Sequence, residues 1–253
     1  MSETLAPAMV PYAAALEAFY SGDTECELLV RRDDGFEARL AVRHFFRQEA
    51  GFSPIDRHSV EQCQGRVLDV GAGVGAHSMA LQARGLLVTA LDVSAVATRI
   101  MRVRGVGDAR CGDVYGFGGE VYDTVLLMGH GIGMAGDLAG LDRFLDHIRT
   151  LVRKNGSLIL DSLDVTRNSD PTHLAYHQAN RRAGRYVGET RIQFEFAGEK
   201  GPFCAWLHVD PGTLGRHAQS RGWTCEVLLE EASGEYLARL GLPGQPLTGR
   251  RWG

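Results

Sequence analysis

No run of about 18 apolar residues, the length a membrane-spanning helix needs, occurs in this chain, and Met1 to Val10 lacks a basic segment leading into an apolar stretch. A cytoplasmic protein is therefore expected. No C-x-x-C pair is present: Cys26, Cys63, Cys111, Cys204 and Cys225 are odd in number and widely spaced. That pattern excludes a disulfide framework and a zinc site and reads as reduced thiols. A strong charge of either sign is also missing. The 27 basic and 31 acidic residues are interspersed and leave a net charge of −4, so no basic field attracts nucleic acid or an anionic membrane. A small-molecule substrate is the expected partner, and monomer and homodimer both stay open. Internal repeats are not evident.

With 253 residues and 44% hydrophobic content, the chain can bury one substantial core. Periodicity divides it into three stretches. Residues 1–62 read as an N-terminal helical cap, with helical patterns over Val10 to Tyr20 and Glu37 to Ala50 and a start signal at Ser53-Pro54-Ile55-Asp56. Residues 63–165 carry short apolar runs, Val67 to Val70, Leu86 to Leu91, Tyr122 to Met128 and Ser157 to Leu160. Between them lie helical stretches Ala76 to Arg84, Ala95 to Val103 and Leu138 to Val152, as in a doubly wound parallel sheet. Residues 166–253 begin a different pattern: Thr190 to Phe196 and Phe203 to Val209 alternate around Ala197 to Gly201, predicting an antiparallel hairpin. A short helix from Asp210-Pro211 to Arg221 and a strand from Thr224 to Leu229 follow, and these C-terminal strands are expected to complete the sheet and the substrate pocket. The tail Gly249 to Gly253 is too short to interpret.

The turn Asp69-Val70-Gly71-Ala72-Gly73-Val74-Gly75 follows the first strand and precedes a helix, so three residues without Cβ stand where a ligand can approach the main chain. Dinucleotide sites want G-x-G-x-x-G; here glycine falls at every second position. With Asp69 in front, the segment resembles the first motif of the class I S-adenosylmethionine-dependent methyltransferases. Asp92-Val93 ends the second strand, 21 positions beyond Gly71, where a carboxylate can accept hydrogen bonds from both ribose hydroxyls, although capping of the next helix competes as a role. Asp113-Val114 closes the third strand, where the resemblance implies contact with the adenine, against the alternative of a surface turn. Met128-Gly129 opens the glycine-dense loop after the fourth strand, where the resemblance implies contact with the methionine part of the cofactor.

The resemblance spans about Gly65 to Leu163 and implies a Rossmann-like, mostly parallel seven-stranded α/β sheet, with cap helices before it and the hairpin after it. It further implies S-adenosyl-L-methionine as cofactor and methyl transfer as reaction. No Asn or Asp followed by Pro-Pro and an aromatic appears after the fourth strand, which disfavours amino-methylation of adenine or glutamine. Overall the chain looks like a small bacterial methyltransferase whose acceptor is open. The same fold also hosts aminopropyl transfer, cyclisation and lyase reactions of this cofactor. A non-catalytic binding module and an NAD-dependent oxidoreductase are the rivals from other classes.

Methyl transfer is an in-line displacement that needs alignment and, for many acceptors, a base. His130, in the loop over the cofactor, is the first candidate, with loop bracing as its alternative role. Tyr176 and Arg181 belong to a segment, Tyr176 to Tyr186, that can recognise an acceptor's anionic group or form a solvated helix face. At most one of Arg181, Arg182 and Arg185 is expected to face the acceptor. Phe45 and Phe46 read as core anchors with Arg43 and Arg47 on the solvent side, with closure over substrate as the alternative role, while Trp206 and His208 share one face of the hairpin, and which face meets the core and which lines the pocket or a subunit contact stays open.

Overall fold

The structure, a computed structural model, describes residues 5–242 and the two-residue strand 250–251. Its first helices are α1 (Leu5–Ala8) and α2 (Val10–Tyr20), followed by the hairpin β1 (Glu27–Arg32) and β2 (Glu37–Ala41). The stretch from Glu37 to Ala50, expected as helix, is instead this second strand and two 3₁₀ turns, Val42–Phe46 and Glu49–Gly51. Cross-strand pairing from Glu27↔Ala41 to Arg31↔Glu37 overrides local helical propensity there. The turn at Asp33-Asp34-Gly35, with Gly35 at φ 90°, makes the hairpin possible. Helix α3 (Pro54–Gln62) starts as the sequence indicates: Ser53 and Asp56 form a reciprocal capping box, with Pro54 in the first turn.

The central unit alternates β3 (Arg66–Val70), α4 (Ala76–Ala83), β4 (Leu87–Asp92), α5 (Ala95–Val103), β5 (Asp108–Cys111), β6 (Tyr122–Leu127), α6 (Leu138–Leu151) and β7 (Val152–Leu163). Beyond it come α7 (Pro171–Arg182), β8 (Glu189–Phe196), β9 (Glu199–Lys200), β10 (Cys204–Leu207), α8 (Pro211–Ser220), β11 (Thr224–Glu230), β12 (Glu235–Gly241) and β13 (Arg250–Arg251). The main sheet has the order β13-β11-β12-β7-β6-β3-β4-β5. Strands β3 to β7 pair in parallel, and β12 runs antiparallel to both its neighbours. This is the Rossmann-like α/β sheet, seven strands with β13 added as a short edge. The tail of the chain, apart from β13, lies outside the described residues.

Helices cover both faces, as near-continuous apolar strands require. Leu141, Phe144, Leu145 and Ile148 of α6 and Leu214 of α8 pack with Leu127, Leu158 and Leu160 in one core; Val60 of α3 and Leu81 of α4 pack with Val67, Leu126 and Ile159 in the other. Each such fully buried side chain contributes about 1.5 to 3 kcal/mol through apolar burial. Strands β10, β8, β1 and β2 form a second, antiparallel sheet in that order, so the N-terminal hairpin and the C-terminal one share a sheet. It sits with α2 over the carboxyl end of the main sheet, where Gly71, Asp92 and Met128 share a cavity with Leu28, Leu40 and Trp206. Among the described residues no helix is long and apolar enough to cross a membrane.

Candidate active site

The glycine turn is built on left-handed backbone. Gly71, Gly73 and Gly75 have φ of 66°, 57° and 83°, a conformation that costs an L-residue with a Cβ about 1 to 2 kcal/mol. Gly71 and Ala72 both donate their backbone N–H to Leu91 O, at 2.8 and 3.1 Å, which ties the turn to the end of β4. The glycines have different neighbours. A Cβ at Gly75 would stand 2.7 Å from Val106, whereas one at Gly73 would point toward the Tyr12 hydroxyl and one at Gly71 toward Met134. Tyr12 and Met134 belong to a cavity whose empty space, mouth included, is about 1010 Å³.

The floor of that cavity comes from the carboxyl ends of parallel strands, where open α/β sheets bind ligands. Of the residues singled out in the sequence, Gly71, Asp92, Val93, Asp113, Val114, Met128 and Gly129 line it. Gly73 joins them indirectly through its backbone N–H, which donates to Asp92 Oδ2 at 2.8 Å. The other carboxylate oxygen, Oδ1, accepts from Ser94 N at 2.8 Å. Ser94 Oγ itself caps α5 by accepting from Ala97 N, so Asp92 is not that helix's cap. Each Asp92 oxygen keeps a lone pair for a ligand hydroxyl. Burial raises the Asp92 pKa to about 6. Asp113 caps the following 3₁₀ turn by accepting from Tyr115 N at 2.9 Å.

Asp69 is placed differently. It is buried, does not line the cavity, and accepts a 2.6 Å hydrogen bond from Ser78 of α4. It braces the turn from behind. Gly75 likewise lies away from the cavity lining and serves the packing against Val106.

His130 follows Gly129 in left-handed conformation, φ 57°. Its backbone N–H donates to Asp161 Oδ1 at 3.0 Å, and its Nε2 lies 3.5 Å from Glu235 Oε1 and 3.9 Å from Asp161 Oδ2. Burial by itself would lower the imidazole pKa, but the Glu235 contact and the charges of Asp161 and Glu235 outweigh it and hold the pKa above its usual value. Beside it, at 5.6 Å between ring centroids, stands His208.

Tyr176 and Arg181 do not line this cavity. The Tyr176 hydroxyl donates to Asp33 at 2.7 Å, and its ring lies under the Arg32 guanidinium at 4.2 Å. Arg181 and Arg182 of α7 and Arg185 beyond it are all exposed, while the buried face of α7 carries Tyr176, His177 and Asn180. Arg47 also departs from the sequence reading. Its side chain is only partly exposed, and it holds both Asp56 oxygens, at 2.8 and 3.1 Å, while His77 Nε2 meets Asp56 at 2.8 Å.

The sequence singles out Phe45 and Trp206 without placing them, and the other residues of the roof are not legible there. Tyr12, Leu28, Leu40, Phe45, Phe194 and Trp206 close the cavity with a largely apolar surface. Alternation places Trp206 on the cavity side of β10 and Leu207 in the core, which settles the two faces of the hairpin. Gly133 in the loop after β6 admits the Trp206 indole, since a Cβ there would overlap it at 2.0 Å. Glycine density in that loop is a further signal of this packing.

A methyltransferase domain family model matches residues 68–160. The fold is similar to a SAM-dependent methyltransferase from Bacteroides fragilis, solved in complex with S-adenosyl-L-homocysteine, at 29% identity and TM-score 0.81, covering 93% of this chain and 96% of that one. It is also similar to the DhpI–SAH complex, at 18% identity and TM-score 0.62 over 96% of this chain and 100% of that one. A third match is the CcbJ methyltransferase from Streptomyces caelestis, at 13% identity and TM-score 0.56, covering 78% and 98%. No protein of curated function matches significantly in sequence.

Proposed function

The chain belongs to the class I S-adenosylmethionine-dependent methyltransferases, and from that membership we propose that it methylates a small molecule held beside the cofactor cavity. One observation carries the reading. Gly71 of the turn, the Asp92 carboxylate and the Met128-Gly129 step meet in a single cavity that an apolar sheet roofs.

These residues fit S-adenosylmethionine. Gly71 leaves the floor free of side chain where a ligand lies against backbone, and Asp92 offers acceptor capacity for ribose hydroxyls. Val93 and Val114 supply apolar surface for an adenine, with Asp113 at its edge, and Met128-Gly129 would border the methionine part. When bound, the cofactor supplies a methyl group activated by a sulfonium charge. The chain's own part is alignment and exclusion of water, which Tyr12, Phe45 and Trp206 perform as an apolar cover.

Where the acceptor loses a proton, His130 is our candidate base: it stands between the cavity-lining Gly129 and Gly131, its own side chain is not part of the lining, and Glu235 and Asp161 beside Nε2 would support the resulting imidazolium. A small acceptor is favoured because the second sheet covers the cavity and the charge pattern offers no basic surface for nucleic acid.

The experiment is incubation with S-adenosylmethionine labelled in its methyl group and a cell extract divided into low-molecular-weight filtrate, protein and RNA. Label should enter the filtrate, with S-adenosylhomocysteine as co-product. Transfer to protein or RNA alone overturns the small-molecule reading, and methylthioadenosine as co-product overturns methyl transfer.

A further inference from the structure

The face of the second sheet that roofs the cofactor cavity continues past it. Side chains two apart on a strand share a face. On β1 the series is Leu28, Val30, Arg32; on β2 it is Leu40, Ala38; on β8 it is Phe194, Ile192, Thr190. In every case the first member lines the cofactor cavity and the rest line a second one, of about 700 Å³ of empty space with its mouth included. Trp206 and His208 repeat the division. The opposite wall is Leu163 at the end of β7 and Val165 just after it, with Tyr176 and His177 of α7. His130, between the cavity-lining Gly129 and Gly131, meets His208 edge to face, so the two imidazoles stand where the cavities adjoin.

The polar groups of this second cavity are charge-compensated. Arg32 is buried, both oxygens of Asp34 accept its Nε and Nη2 at 2.8 Å, and its Nη1 donates to His173 Nδ1 at 2.9 Å. His177 is buried, and its pKa is lowered by burial and by Arg181, His173 and Arg32. Burial and the neighbouring His130 push the His208 pKa down to about 3, and its Nδ1 has no hydrogen-bond partner among the described residues. The rest of the lining is mostly apolar, from Val30, Phe36 and Ala38 to Val187 and Ile192, with Asn168, Tyr176 and Thr190 as uncharged polar members. A charged ligand would find no uncompensated counter-charge there and would forfeit its hydration.

We infer that this second cavity is the acceptor's subsite and takes an uncharged, largely apolar molecule whose hydroxyl meets the His208 imidazole at the junction with the cofactor cavity. The inference rests on the methyltransferase reading for the word acceptor, while the binding itself is independent of it.

Its test uses p-cresol as an uncharged hydroxyl probe and 4-hydroxybenzoate as its anionic counterpart, read by the imidazole nitrogen resonances of His177 and His208 in labelled protein. p-Cresol should move the His208 signals and bind at least about tenfold more tightly than 4-hydroxybenzoate, the scale of an uncompensated charge partly desolvated. Ala38→Phe and, separately, Val187→Phe, which each fill the cavity from a different wall, should remove the p-cresol shifts. A titration of each protein with S-adenosylhomocysteine serves as the second measurement. If it binds and p-cresol leaves His208 unmoved, or if either variant that still binds S-adenosylhomocysteine keeps the shifts, the subsite is overturned. Equal or tighter binding of 4-hydroxybenzoate overturns the assigned ligand class. Failure of wild type to bind S-adenosylhomocysteine overturns the methyltransferase reading and leaves the p-cresol result to stand by itself.

Discussion

The Gly73 amide and the Asp92 carboxylate are joined by a 2.8 Å hydrogen bond, so the middle of the glycine turn is held by the residue that ends β4. One side chain thus shapes the turn and faces the cavity. Asp92→Ala should weaken S-adenosylhomocysteine binding by about 1 to 3 kcal/mol, the scale of lost hydrogen bonds to a charged acceptor, as read by calorimetry. The pH dependence follows from burial, which raises the Asp92 pKa to about 6. Ribose hydroxyls donate to the ionised form, so affinity should be weakest near pH 5, rise through about 6 and level off at neutral pH. Asp92→Asn should flatten that profile. A wild-type affinity independent of pH between 5 and 8 would remove Asp92 from the ribose site.

Gly133 and Trp206 form a matched pair, because the indole occupies the place a Cβ at 133 would need. Gly133→Ala should displace Trp206, costing about 1 to 3 kcal/mol as overpacking does. Urea denaturation gives the cost, and tryptophan fluorescence should report a more hydrated indole. Affinity for S-adenosylhomocysteine should fall with it, since Trp206 is part of the roof. In the double variant Gly133→Ala, Trp206→Ala the stability cost of the added methyl should shrink. Additive costs would mean that the two residues are not packed as described.

Much of the cofactor cavity was legible in the sequence because its determinants are local. Glycine at alternate positions reports three left-handed residues, and aspartates or Met128 at strand ends report the edge where ligands sit. What stayed hidden depends on pairing between distant segments. Leu29 faces Glu195 across β1 and β8, and no pattern near residue 29 announces that partner. The misreading of Glu37 to Ala50 as helix has the same origin. So has the reading of Arg47 as solvent-facing, since its partner Asp56 became visible only with α3 in place. Tyr176 was noticed for its chemistry, yet its hydroxyl is committed to Asp33, a residue 143 positions away.

Asp56 ties together Arg47, His77 and the first turn of α3. Burial would raise its pKa, but hydrogen bonds from His77 and Arg47 outweigh that and hold it well below the usual carboxylate range. A depressed folded-state pKa contributes stability above the unfolded value, near 3.9, that is lost as pH falls through the folded one. Asp56→Ala should therefore cost about 3 to 5 kcal/mol at pH 7, leaving the partly buried Arg47 and the buried His77 without their shared partner. The difference from wild type should shrink below about pH 4. An undiminished gap at pH 3 would show that packing or capping, not the ion pairs, sets the cost.

His130 and Glu235 offer the sharpest test of the proton-taking role. The folded-state pKa of His130 is raised, so its charge contributes stability that is fully present below the unfolded pKa, near 6.5, and is lost as pH rises through the folded value. Glu235→Gln removes the closer carboxylate, 3.5 Å away, and should lower the His130 pKa as followed by imidazole NMR. Turnover needs the neutral base, so kcat/KM should rise with pH in wild type, and the rising limb should move to lower pH in Glu235→Gln. His130→Asn suits the left-handed backbone at φ 57° better than alanine would, which separates chemistry from strain. It should lower kcat by about 10²- to 10⁴-fold with S-adenosylhomocysteine affinity close to wild type. A pH profile that does not move in Glu235→Gln, with His130 shown by NMR to titrate lower, would assign the imidazole to bracing the loop.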